Sequence, residues 1–178
     1  PEAAYDDILY FGRNPETVEK LFAKAAKNGL IVLVQGGVKF GRPVQTALGA
    51  IHYRGLRLAG TRTHDPADAL RNIPESGEVR PNDVVHVVGA GGPMGVMHVI
   101  RDLCQGVLGL TVVAADLSDE RLEALSRIAQ PKARAHGATY EAYNSTGGTR
   151  PGPFHYSVIM APVPALVAAA VPASAPHG

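Results

Sequence analysis

The run Val87-Val88-Gly89-Ala90-Gly91-Gly92-Pro93-Met94-Gly95-Val96-Met97 is where residue types and spacing point to chemistry. Apolar, β-branched residues enter a glycine cluster, and a helix-type sequence leaves it at once. Glycines at such a junction permit a tight turn and let the backbone approach a pyrophosphate. The following helix offers unpaired N–H groups and the positive end of its dipole. Gly89, Gly91, Gly92, Pro93, Met94 and Gly95 are therefore candidate cofactor-binding residues, with Gly95 letting the helix pack close to the sheet. The spacing departs from G-x-G-x-x-G. Counting from Gly89 and Gly91, the third glycine falls one residue late at Gly95; counting back from Gly95, the first falls on Ala90.

Asp116 is the acid such a site requires. It ends the next apolar run, 25 residues beyond Gly91, against roughly 20 expected; the extra residues fall in Gly106-Val107-Leu108-Gly109. A carboxylate there accepts hydrogen bonds from both ribose hydroxyls and repels a 2′-phosphate, so NAD is expected and NADP disfavoured. Its competing role is N-cap of the helix starting near Asp119. Arg121, one turn into that helix, either lines the adenine-ribose pocket or is a solvated helix charge.

The elements that must position these groups can be read from hydrophobic patterning. Asp7–Gly12 is a short apolar strand, and Asn14-Pro15-Glu16 starts a helix with Asn as cap and Pro at its first position. Val18, Leu21, Phe22 and Ala25 carry the helical stripe to Lys27, with Asn28-Gly29 closing it. Leu30–Val34 is a continuously apolar strand, as expected in a parallel sheet covered on both faces. Leu56–Ala59 is a further strand, Asp65-Pro66 caps a helix over Ala67–Asn72, and Pro74–Asn82 reads as a connector. The pattern then restarts: strand Val84–Val88, helix Pro93–Cys104, strand Thr111–Ala115, helix Asp119–Ala135 broken or kinked late by Pro131. Strands Thr139–Tyr143 and Tyr156–Met160 follow, and Pro164–Ala170 starts another helix. Alternating β and α units with short turns predict a doubly wound α/β fold with a parallel sheet. Residues 8–29 and 158–178 share a strand, Pro-containing turn, helix and closing glycine at a period of roughly 150 residues, the size of one nucleotide-binding domain.

Composition narrows the function classes. Hydrophobic content of 46% with 20 glycines and 14 prolines is globular and turn-rich. A net charge of +1 creates no field that would draw nucleic acid. The single cysteine, Cys104, excludes an internal disulfide or a Cys-based zinc site, and a cytoplasmic location is expected. Cys104 reads as a small core residue. The histidines, His52, His64, His86, His98, His136, His155 and His177, show no ligand spacing, and Met94 and Met97 read as packing residues. No apolar stretch approaches a membrane span. The start at Pro1 and the end at Pro176-His177-Gly178 read as those of a fragment from a longer polypeptide.

At Val87–Gly95, followed by Met97-His98-Val99-Ile100-Arg101, the sequence resembles the medium-chain, zinc-type alcohol and polyol dehydrogenases, notably members related to sorbitol and sorbose-phosphate dehydrogenases. His52–Thr61 is similar to the final strand of that family's cofactor domain, and Asp6 through Gly37 to its fourth strand, helix and fifth strand. The resemblance implies a Rossmann organisation in which residues 1–78 supply strands four to six plus a linker. Residues 79–178 then supply a dinucleotide-binding βαβ unit with strands one to four, truncated at its end. Either the chain spans two nucleotide-binding halves of a tandem parent, or both parts complete one permuted six-stranded sheet. By the same resemblance Ala161 and Pro162 lie near the nicotinamide ribose, with Gly12, Arg13 and Gly36-Gly37 in corresponding places of the first half. The implied activity is hydride transfer between NAD and an alcohol, polyol or sugar-phosphate substrate. Zinc and substrate would be held by a separate catalytic domain of the parent, and no catalytic or metal residue is assigned to this chain. The strand Leu56–Ala59 would lie at a sheet edge, so a homo-oligomer is expected. A nucleotide-sensing or structural module that kept the fold without catalysis is the alternative. An α/β methyltransferase-like site, with its own ribose-binding acid, accounts less well for the full glycine pattern.

Overall fold

Every strand pairing among the described residues is parallel, and the doubly wound α/β class follows from that pairing with helices on the sheets. The computed structural model describes residues 4–71 and 79–175, which fall into two compact units. The strands form two sheets, one of three and one of four strands. The expected boundary at 78/79 and most of the connector lie outside the described residues, as do Asn72 and Pro176-His177-Gly178.

The first unit runs β1 (Tyr5–Phe11), α1 (Pro15–Lys24), β2 (Ala25–Val34), α2 (Leu48–Arg54), β3 (Arg57–Thr61) and α3 (Pro66–Leu70), with sheet order β1-β2-β3. Asn14 and Asp65 cap α1 and α3, accepting from Thr17 N–H and Ala67 N–H, with proline at the first position of each helix. Val18 and Phe22 of α1 pack on Ile31 of β2 together with Leu56, and with the opposite face also covered, Leu30–Val34 of β2 is continuously apolar. On the other sheet face Val32 and Val34 meet Ala69 of α3.

Two expectations in this unit are corrected. Helix α1 ends at Lys24, three residues before Lys27, because Arg54 donates to the carbonyl oxygens of Phe22, at 2.8 Å, and Ala25. A distant guanidinium thus takes the carbonyls that another helical turn would have used. Residues His52–Arg54 are not strand: they close α2, a helix absent from the expected pattern. Gly55, in the left-handed region at φ 64°, stops it with its N–H on His52 O.

The second unit runs β4 (Val84–Val88), α4 (Pro93–Leu103), β5 (Thr111–Asp116), α5 (Asp119–Ala135), β6 (Thr139–Asn144), β7 (Tyr156–Ile159) and α6 (Pro164–Ala173). Its sheet order is β6-β5-β4-β7. The chain steps outward from β4 to β5 to β6, then returns to the far side of β4. The strand order therefore reverses beside β4, the kind of place where open α/β sheets leave a crevice beyond their carboxyl ends. Val85 and Val87 of β4 and Val112 and Ala114 of β5 form one core with Val99 and Leu103 of α4 and Leu125 and Ala129 of α5. Pro131 does not end α5; Ala129 and Ala133 are both buried on either side of it and keep the last turn docked. No helix among the described residues is long and apolar enough to cross a membrane.

Candidate functional site

The turn after β4 is built by hydrogen bonds to the neighbouring strand. Gly89 N–H and Ala90 N–H both donate to Ala115 O of β5, at 2.8 and 3.0 Å. Gly89 adopts φ +78°, which a side chain would oppose. Gly92 is the N-cap of α4, with no side chain bonding the helix terminus, and Pro93 is the first helical residue. Gly95 makes the closest approach: a Cβ there would lie 2.2 Å from Gly89 O and 2.6 Å from Ala90 Cα. The late third glycine is thus the one on which helix α4 closes against the turn.

Asp116 ends β5 and is 6% exposed. Its Oδ2 accepts from Gly91 N–H at 2.9 Å and its Oδ1 from Ser118 N–H at 3.1 Å. Charge-assisted bonds of this kind contribute about 1.5–3 kcal/mol each. A Cβ on Gly91 would lie 2.5 Å from Arg121 Cβ and 3.0 Å from Asp116 Oδ2, so this glycine is needed for the carboxylate to reach the turn. The N-cap of α5 is Ser118, whose Oγ accepts from Arg121 N–H at 3.3 Å, so Asp116 is left free of the capping role. A carboxylate has about four lone-pair positions. Two are used here.

One cleft of about 1000 Å³ brings Gly89, Gly92, Asp116, Arg121, Ala161 and Pro162 together. Ala161 reaches the turn from the end of β7: a Cβ on Gly89 would sit 3.3 Å from its backbone nitrogen. Gly91, Pro93, Met94 and Gly95 do not line the cleft and shape the turn behind it. The cleft also takes Ser118, Tyr143, Ser145 and Thr149, which sequence reasoning missed. Ser118 carried a usable signal, a serine one residue before an acidic helix start; the other three come from β6 and its following loop, and only the sheet order places them here.

Tyr143 is anchored from beneath the cleft. Its hydroxyl lies 2.9 Å from Nε2 of His86 and accepts from Arg150 N–H at 3.1 Å. His86 is 1% exposed, on the sheet face opposite the α4–α5 core, and stacks on Phe154 with ring centroids 4.1 Å apart. Burial lowers its pKa to about 4, with the Arg150 charge adding to the effect.

Three packing expectations are corrected. Cys104 is exposed at the C-cap of α4, because Asp102 and Leu103 take the inward positions of that last turn. Met94 and Met97 are 55% and 62% exposed rather than packed, since the inward stripe of α4 passes through Gly95 and Val99. Among the described residues no three His, Cys, Asp or Glu side chains converge as a metal site. In the first unit, Gly12, Arg13 and Gly36 line a separate cleft of about 260 Å³ with His64.

No family model, curated protein or solved structure matches the chain.

Two outcomes follow from this geometry. Gly95→Ala should destabilise the chain by several-fold more than Gly92→Ala, whose added carbon would meet only Gly89 O at 3.5 Å; urea denaturation of both variants checks the order. The lowered His86 pKa means that the unfolded chain takes up a proton near pH 6.5 while the folded chain resists until about pH 4. The His86 contribution is complete above pH 6.5 and is lost progressively as the pH falls to about 4, reaching ~3 kcal/mol. Denaturation midpoints of wild type and His86→Gln across that window should converge as the pH falls.

Proposed function

We propose that the second unit binds NAD, serving as the cofactor-binding portion of a zinc-type oxidoreductase that moves a hydride between NAD and an alcohol, polyol or sugar-phosphate substrate. The observation that carries the cofactor reading is the Asp116 carboxylate, tied to Gly91 of the turn while lining the cleft. The residues present fit a dinucleotide. The Gly89–Gly92 turn and the uncapped N-terminus of α4 suit a pyrophosphate. Two remaining lone-pair positions of Asp116 suit the ribose hydroxyls, and its charge opposes a 2′-phosphate. Ala161 and Pro162, across the cleft at the end of β7, would border the nicotinamide ribose, and Arg121 the adenine ribose.

Bound NAD would supply the hydride chemistry; this chain's residues bind and orient it. The described residues offer no zinc-ligand set, and the substrate class rests on the resemblance of Val87–Arg101. Copies of the chain would pair through β3, which lies at its sheet edge with Leu58 47% exposed.

Fluorescence titration should show NADH bound at least tenfold more tightly than NADPH, with Asp116→Asn reducing that preference. Equal or stronger NADPH binding would sink the Asp116 assignment. Light scattering should return a mass above that of one chain; a strictly monomeric result would remove the pairing through β3.

A further inference from the structure

The sheet order sets where the remaining part of a bound nucleotide falls, if the cleft is the nucleotide site proposed above. The pyrophosphate lies at the turn after β4 and the ribose at the end of β5. The base continues in the same direction, to the end of β6, one strand spacing of about 4.8 Å further on. There the register sets Tyr143 beside Ala115 and Asn144 beside Asp116. Tyr143 is the one aromatic side chain lining the cleft among the described residues.

The hydrogen bonds of Tyr143 decide which part of it a ligand meets. One lone pair of its oxygen accepts from Arg150 N–H. The same oxygen lies 2.9 Å from Nε2 of the buried His86, its second hydrogen-bond partner. With the hydroxyl committed on both counts, the ring is what remains for contact. It lies nearly parallel to the His86 ring, at 14°, and His86 is itself stacked on Phe154 at 18°. Arg150 is held in turn by Glu141 of the same strand. Mutual satisfaction of buried polar groups would explain the His86–Tyr143 bond by itself, but not the placing of a fixed aromatic ring one strand beyond the ribose-binding acid.

We propose that Tyr143 is the surface on which a purine base stacks in this cleft, and that His86 is the positioning residue that holds it there. The ligand class is an adenine nucleotide, discriminated from its pyrimidine counterpart by stacking area.

Calorimetric titration of the full chain with ADP and with UDP isolates the base, since the two probes share ribose and diphosphate. Wild type should bind ADP roughly tenfold more tightly than UDP. Tyr143→Leu should weaken ADP and bring the ratio close to one while leaving UDP nearly unchanged. Tyr143→Phe keeps the ring but removes both hydroxyl bonds, and should retain only part of the preference. His86→Gln, which keeps a hydrogen-bonding partner for the hydroxyl, should hold the ratio better than His86→Leu. Circular dichroism of each variant verifies the fold, and if Tyr143→Leu does not fold the wild-type ratio decides the stacking role. A ratio near one in wild type, or one unchanged in Tyr143→Leu, overturns the stacking role while the nucleotide reading stands. A Tyr143→Phe ratio equal to that of wild type overturns the positioning role of His86. Failure of wild type to bind ADP, UDP and NADH overturns the nucleotide reading and this inference with it.

Discussion

The carboxylate of Asp116 ties together parts of the second unit that are far apart in sequence. It accepts one backbone N–H from the glycine turn after β4 and another from the start of α5. Both donors belong to segments with no regular partner for those hydrogens. A buried, unpaired carboxylate would be costly, so the charge and the two N–H groups settle one another. The turn can then sit against the end of β5 only where no side chain intervenes, and Gly91 meets that condition. The same carboxylate lines the cleft.

Around this bond the parallel order β6-β5-β4-β7 does the rest. Because the chain leaves β4 in one direction and returns on the other side, the turn at Gly89 faces the end of β7 as well as that of β5. Gly95 allows α4 to close on the turn, which aims the uncapped helix terminus toward the same place. The first unit uses the same strand–helix grammar, with Asn14 and Asp65 as caps and a parallel sheet of its own. Its own small cleft likewise lies beyond the ends of β1 and β2.

Several features were legible because they depend on neighbours in sequence. The strand Val84–Val88, the Pro93 helix start and the acid at 116 are all local patterns, and each lies where it was expected. What was misread has a nonlocal or a positional cause. Helix α1 is cut short by Arg54, some thirty residues away. Helix α2 buries no residue, so it carries no apolar stripe to mark it, and its last residues His52–Arg54 run into the strand that follows, with Gly55 the one local sign of its end. Cys104 and the two methionines are small or apolar residues on the outward side of α4, and residue type alone does not reveal which side of a helix faces the core.

By itself the sequence determined the α/β class, the parallel character of the strands, the helix caps and the glycine turn with its acid. Each of these depends on side-chain type, spacing and local backbone preference, which operate within a few residues. Only the tertiary structure decided the division into two sheets, the lateral order of the strands and the cleft wall contributed by Tyr143. Those depend on which strand ends become neighbours, a choice made by burial and pairing over long separations. His86 shows the difference most directly. In the sequence it is a polar residue within an apolar strand, and its role emerges only when β6 and the Phe154 loop close around it.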